Sequence, residues 1–417
     1  MIISPQAAAT WAVAGLATAG VILRPWKVPE ALWAVVGAVA LVAFGLLPAS
    51  DGLRAIGKGS DVYLFLIGMM LLSELGREEG LFDFLAALTV AMARGSASRL
   101  FLLVYALGTV VTVFMSNDAT AVVLTPAVYA VAKKAGAKPL PYLFACALIA
   151  NAASFVLPIS NPANLVVFAG HPPPLVDWLR QFTLASVVSI ATTFAVLRFY
   201  YRKPLRSQVE IASMPAPMSR TGKMAAWGIV GVAVVLLIAS SLNMPLGMPT
   251  LVASALVAAT VFRVKKQSPW STLGQVSWSV LLLVAGLFVL VAGLEATGLV
   301  AELADALRQA ATSSEKLAAG GAGVLIAVAC SLVNNLPAGL LGGAVLVASE
   351  ATPLVRSAVM IGVDLGPNLS VTGSLATILW LIAIRREGED VSAWQFLKVG
   401  AIAMPAALIP ALAALLI

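Results

Sequence analysis

Stretches of about 20 apolar residues recur from one end of this chain to the other, and that is the helix length needed to cross the ~30 Å hydrocarbon layer of a bilayer. Hydrocarbon offers no partner for a free N–H or C=O, so such segments must satisfy their backbones as helices packed against one another. Of the 417 residues, 60% are hydrophobic and 11% charged, against roughly 25% charged in a soluble domain. The mean hydropathy of +0.98 agrees. The pattern predicts an all-α polytopic membrane protein with no soluble domain of useful size. The longest polar stretch, Tyr200 to Lys223, holds Arg202, Lys203, Arg206, Arg220 and Lys223 with three prolines and reads as a surface linker. The first residues show neither a basic segment nor a cleavage site, so no removed leader is expected.

The net charge of +7 raises the question of nucleic acid, but the basic residues are short clusters at helix ends with no soluble basic face. Topology accounts for them better. With the N-terminus outside and five crossings per half, most of the 26 Lys and Arg fall on the cytoplasmic side, including Lys133, Lys134, Lys138, Arg198, Arg202 and Lys203. Arg54, Lys58, Arg180, Arg308, Lys316 and Arg356 remain outside, a bias of the sign expected from positive-inside sorting. Both termini are then expected outside the cytoplasm.

Internal repetition supplies the architecture. An apolar helix from Asp61 to Glu74 leads into Gly80-Leu81-Phe82, and Trp278 to Glu295 leads into Gly298-Leu299-Val300. Leu100 to Met115, Asn117-Asp118 and Ala119 to Val131 find a counterpart in Ala318 to Leu332, Asn334-Asn335 and Leu336 to Ala348. Each half then carries a helix interrupted by small and polar residues, Asn151 to Phe168 and Met360 to Leu381, and a closing helix. An odd number of crossings per half inverts the second half relative to the first, and inverted repeats with discontinuous helices recur in secondary transporters. The expected division is a first inverted repeat at 1–202, with a hairpin at about 98–133 and a broken helix at about 142–170. A cytoplasmic linker follows at 203–223. The second repeat is expected at 224–417, with a hairpin at about 317–349 and a broken helix at about 355–384. In all this predicts about 10 transmembrane helices plus two re-entrant hairpins.

Polar residues at membrane depth are costly unless they face a partner, a cavity or a ligand. The candidate solute-binding residues are therefore Asn117, Ser160, Asn161, Asn164, Asn334, Asn335, Thr372, Gly373 and Ser374, with Asp118 and Asp364 as candidate proton carriers. Competing structural readings are interhelical hydrogen bonding for the Asn pairs, kinks at Pro162 and Gly373, and capping for Asp364. Glu74 and Glu295 read as interfacial, His171 as a loop residue, and Cys146 and Cys330 as small buried hydrophobes. No Walker loop, zinc-ligand signature or nucleophile elbow is present, so neither ATP hydrolysis nor familiar hydrolase chemistry is supported. No cofactor and no protein-bound metal is expected.

At these motifs the chain resembles the ArsB-type arsenite/antimonite permease family, the arsenical pump membrane proteins of the ion transporter superfamily. The resemblance rests on Ser116-Asn117-Asp118-Ala119-Thr120, Val333-Asn334-Asn335-Leu336-Pro337, Ser160-Asn161-Pro162-Ala163-Asn164, and Asp364-Leu365-Gly366-Pro367-Asn368 running on to Thr372-Gly373-Ser374-Leu375-Ala376-Thr377. It implies export of trivalent arsenite or antimonite across the inner membrane, driven by protons or as the membrane subunit of a soluble ATPase. It also implies a scaffold domain and an elevator-type transport domain carrying the hairpins. The Asn-Asp element is shared with sodium/proton antiporter and anion-transporter relatives, which remain alternatives, as does a passive channel. Arsenite at neutral pH is largely an uncharged trihydroxide, and amides and hydroxyls supply the donors and acceptors it needs. No Lys or Arg accompanies the polar elements, which argues against an anion site.

Overall fold

A computed structural model describes residues 4–211 and 213–417, the side chain of Lys27 excepted. The first three residues of the expected first repeat and residue 212 of the expected linker therefore lie outside the description. The elements formed by the described residues are all helices, with a single isolated bridge between Ser96 and Gln208. The first half comprises α1 (Pro5–Leu23), α2 (Glu30–Ala43), α3 (Ala49–Lys58), α4 (Ser60–Glu78), α5 (Leu81–Ala93) and α6 (Ala97–Phe114). It continues through a polar turn into α7 (Thr125–Lys134), α8 (Leu140–Ala152), α9 (Pro162–Val167) and α10 (Leu175–Tyr200). The second half runs through α11 (Arg220–Ser241), α12 (Gly247–Lys265), α13 (Ser279–Ala296), α14 (Leu299–Ser313) and α15 (Glu315–Val333). It ends with α16 (Asn335–Ala348), α17 (Pro353–Leu365), α18 (Leu375–Arg386) and α19 (Ala393–Ala414).

Among the described residues, eight helices are long and apolar enough to cross a bilayer, or nine if α3 and α4, bent by 48°, form one span. This is fewer than the ten crossings expected from sequence. The broken helices divide into halves too short to span alone, and α2 has only 14 residues. Conversely α6 and α15, expected as short hairpin arms, are 18 and 19 residues long.

The two halves repeat in detail. Gly80 and Gly298 both precede their amphipathic helices at positive φ, 70° and 86°. Ser96 and Ser314 cap α6 and α15 through their side chains, and Ser116 and Asn334 cap the helices that follow. These three pairs occur at identical spacing in the two halves.

Helices from the two halves interlock in two groups. In one, α4 packs on α12 and α2 on α13. Close approach is permitted by Gly68 against Thr250, Gly286 against Ala34 and Gly247 against Asp61, where a Cβ would overlap backbone atoms. In the other, α15 packs on α17, α10 on α19, and α6 on α8. Here Gly362 and Gly366 lie against the backbones of Gly323 and Ala327, the small-residue geometry by which membrane helices gain van der Waals contact. One tie in the first group is a capping interaction: Asp61 Oδ1 accepts from Gly247 N, the first amide of α12, at 2.7 Å. Asp61→Ala is expected to lower thermal stability in detergent by about 1 kcal/mol, while Asn, which keeps an acceptor, holds most of it. Equal melting of the two variants would remove this role.

Candidate functional site

Two turns and two helix breaks build the site. Where α6 ends, Ser116 adopts φ 156° and its Oγ accepts from Ala119 N, which starts a new helix at Asn117. Where α15 ends, Asn334 adopts φ 76° and its Oδ1 accepts from Leu336 N. The second cap is an Asn, a residue type that tolerates positive φ. The caps set the register: Asn117 matches Asn335, and Asp118 matches Leu336. A π-helical stretch, Thr120–Leu124, follows only the first turn, stitched by Thr120 Oγ1 to Thr112 Oγ1 at 2.8 Å and Thr125 Oγ1 to Thr120 O at 2.9 Å.

The breaks are complete interruptions and not kinks. After α8 the chain leaves α-helix, with only a 3-10 turn at Pro158–Ser160, until Asn161 caps α9, with Pro162 at the first helical position, where a missing N–H costs nothing. After α17 it tightens into a 3-10 turn at Gly366–Leu369 and resumes α-helix only where Ser374 caps α18 in a reciprocal capping box with Thr377. Asn164 is committed to the first break, donating to the carbonyls of Ser154, Leu157 and Pro158. Ser160 bonds Val113 O at 2.9 Å, and so fixes the break to the first turn. The second half does the same: Asn334 Nδ2 reaches Thr372 O at 3.2 Å, and Asn335 N donates to Gly373 O at 2.8 Å.

The breaks also grip each other. Asn161 Nδ2 donates to Asp364 Oδ1 at 2.6 Å, and Ser374 Oγ donates to Asn151 Oδ1 at 3.4 Å. Asn161 and Ser374 are the two caps, and each sits the same distance in sequence beyond Asn151 and Asp364 respectively, so the two bonds are related by the internal repeat. Asn151 Nδ2 further donates to Asn368 Oδ1 at 2.9 Å, and Asn368 Nδ2 to Leu148 O at 3.2 Å. Asp364 lies inside α17 and caps no helix; it is fully buried, with Oδ2 lacking a protein partner.

At the centre is a void of about 20 Å³, bordered by Asn117, Asp118, Asn161, Pro162, Asn335, Leu336, Leu375 and Ala376. That is room for about one water. The first residue of each of the four helices starting here, Asn117, Pro162, Asn335 and Leu375, lines it, so four positive helix ends converge. Asn117 Oδ1 is buried without a partner. A second cavity of about 100 Å³ adjoins, sharing Leu66, Asp118, Pro162, Val280 and Leu375, and leads out past Ser73, Glu74, Gln275 and Ser277. Glu74 is ion-paired with Arg77 at this mouth. Among the described residues no Lys or Arg lines either cavity. On the opposite side, a vestibule of about 610 Å³ is lined by Lys58, His171 and Glu295. One helical turn of apolar side chains separates it from the void: Val62 and Leu340 face the vestibule, Leu66 and Leu336 the void.

Of the residues singled out in the sequence, Asn117, Asp118, Asn161 and Asn335 meet at the void. Ser160, Asn164, Asn334, Thr372, Gly373, Ser374 and Asp364 lie behind it, as the frame of the turns and breaks. Asn151, Asn368, Gln275 and Ser277 are not among the candidates the sequence offers, and Glu74, read there as interfacial, lies at the cavity mouth. Asn151 could have been found by its position in the repeat, opposite Asp364. No group of three or more His, Cys, Asp or Glu suited to a metal occurs among the described residues.

Broken helices and polar turns meeting inside a bundle of apolar helices make this a polytopic membrane transporter. The chain fits the fold of the crystallised Alcanivorax borkumensis YdaH transporter, with a TM-score of 0.56 at 16% identity, over 87% of this chain and 86% of that one. A family model described as "CitMHS: Citrate transporter" matches residues 18–384, and the chain belongs to that family. It is 27% identical over 411 residues to an arsenical pump membrane protein of Escherichia coli, covering 95% of this chain and 96% of that protein. The protein of the same name from Yersinia enterocolitica is 28% identical over 361 residues, 84% of each.

Proposed function

We propose that this protein is a secondary active transporter of the cell inner membrane that exports arsenite or antimonite in exchange for protons. The observation that supports this solute class most is the donor and acceptor balance of the void. Four helix N-termini favour oxygen atoms of the solute. The Asp118 carboxylate and the unpartnered Asn117 Oδ1 accept hydrogen bonds from it, with no cation nearby. A neutral trihydroxide offers both kinds of atom. A citrate trianion, suggested by the family description, would meet Asp118 and Glu74 without a counter-ion. The converging helix ends, which the sequence did not reveal, weaken the case against an anion but leave that deficit of cations.

In this reading the repeats are inverted, at 1–202 and 224–417, and the turns at Asn117 and Asn334 are tips of re-entrant hairpins. The group built on α4, α12, α2 and α13 is the scaffold; the group containing α6–α10 and α15–α19 moves against it as an elevator. The bias of the basic helix ends supports an orientation with Glu74 and the open cavity on the cytoplasmic side, the apolar layer then closing the outer side. Proton binding at Asp118 or Asp364 displaces the solute outside, and the moving group returns inward to release the proton. A sodium/proton antiporter is the second reading, favoured by the same Asp118 and Asn117 oxygens as ligands for Na+.

Uptake of arsenite, antimonite, citrate and Na+ into proteoliposomes under an imposed pH gradient tests this directly. Arsenite or antimonite is expected to accumulate and citrate is not. Gradient-driven citrate or Na+ flux without arsenite flux would overturn the solute assignment. Arsenite flux with no counterflow acceleration after collapse of the gradient would mark a passive channel, the membrane partner of an ATPase.

A further inference from the structure

A groove of about 680 Å³ opens on the surface of the bundle between the C-terminal end of α10 and the side of α19, a volume within the roughly 300–1,000 Å³ of small-molecule sites. Its floor is apolar, from Ala195, Val196 and Phe199 on α10 and Ile402 on α19. Its rim carries Tyr200, Arg202 and Lys203. Arg202 lies over the Phe199 ring, 4.6 Å from its centroid, which keeps the guanidinium at the rim. Among the described residues neither Arg202 nor Lys203 has an acidic partner within 4 Å, and no acid lines the groove. Phe199 and Ile402 are 68% and 52% exposed, so the rest of the chain leaves the apolar floor uncovered.

We propose that this groove binds one anionic phospholipid of the leaflet in which α10 ends, an acyl chain along the floor and the phosphate between Arg202 and Lys203. Three observations select this occupant. Both walls are helices long and apolar enough to span the membrane, so lipid is the medium that meets them. The polar atoms sit only at the end where the span stops, at headgroup height. Their charge is uncompensated and positive, which favours an anionic headgroup over a zwitterionic one. Bound there, the lipid bridges the closing helices of the two halves.

Native mass spectrometry of the full chain in detergent, with phosphatidylglycerol or phosphatidylcholine added at equal concentration, tests the site. Phosphatidylglycerol is expected to be retained at least about fivefold more, and Arg202→Gln/Lys203→Gln to erase that preference. Ile402→Trp, which fills the floor and leaves both charges, is expected to weaken retention of the same lipid. Millimolar inorganic phosphate is expected not to compete. Equal retention of both lipids by the unaltered protein overturns the proposal, as does a preference that survives both variants or is abolished by phosphate.

Discussion

The Asp364→Asn protein is expected to reconstitute normally and yet fail to accumulate arsenite against its gradient. The substituted amide keeps an oxygen for Asn161 Nδ2, which lies 2.6 Å from Oδ1 of Asp364, so the grip between the two breaks survives. What is lost is the ability to change charge. Moving one charge through 100 mV supplies about 2.3 kcal/mol, and each 1.4 kcal/mol is tenfold. Loss of one coupled proton therefore reduces accumulation by about fiftyfold at that potential. Asp118→Asn is expected to do the same and also to weaken solute binding, since Asp118 lines both cavities. Everted vesicles read both effects: arsenite accumulation, and proton movement on arsenite addition. If each variant still couples proton flux to arsenite, neither residue carries the proton.

Gly362→Val is expected to be the most damaging change to the fold itself. A Cβ at this position would overlap the carbonyl oxygen of Gly323 and the side chain of Ile326, and backbone cannot yield as a flexible side chain can. The cost is about 3 kcal/mol or more, the upper end of overpacking, because α15 and α17 must separate along the seam that also holds Gly366 against Ala327. Ser331 Oγ, 2.8 Å from Gly366 O, would lose its bond to the break. Gly321→Val, on the same α15 with open space around it, serves as control. The fraction of monodisperse protein in detergent and its melting temperature should fall for Gly362→Val alone. Equal melting of the two variants would show that the seam is not tightly packed.

Much of this arrangement is legible in the chain. Apolar length announces the spans, and the two polar interruptions announce the turns, because Asn117, Asp118, Asn334 and Asn335 are costly inside hydrophobic runs. The breaks are visible as Pro162 and Ser374 after polar residues that favour caps. The pairing of the breaks is not visible, because Asn161 and Asp364 are 203 residues apart and sequence pattern reports only neighbours on one element. Among the described residues, only eight or nine helices are long enough to span alone, against ten crossings expected, because α8 with α9 and α17 with α18, each read from sequence as one broken helix, lie in pieces too short to pass that length. Sequence also leaves two registers for the tips, with Asp118 opposite Asn335 or Leu336. The caps at Ser116 and Asn334 decide for Leu336. Glu74 and Gln275 become cavity residues only because α4 and the segment before α13 flank the first turn.

The crossed bonds between the breaks bear on stoichiometry. Positions 151 and 364 match by their spacing to the two caps, and one is an amide and the other an acid. The same substitution of acid by neutral residue separates Asp118 from Leu336. These two pairs of matched positions, 118 with 336 and 151 with 364, thus keep a single carboxylate each, on opposite halves. Under the proposed exchange, these two acids limit the protons carried through the seam to two per cycle. Asn151→Asp would place carboxylates on both crossed bonds.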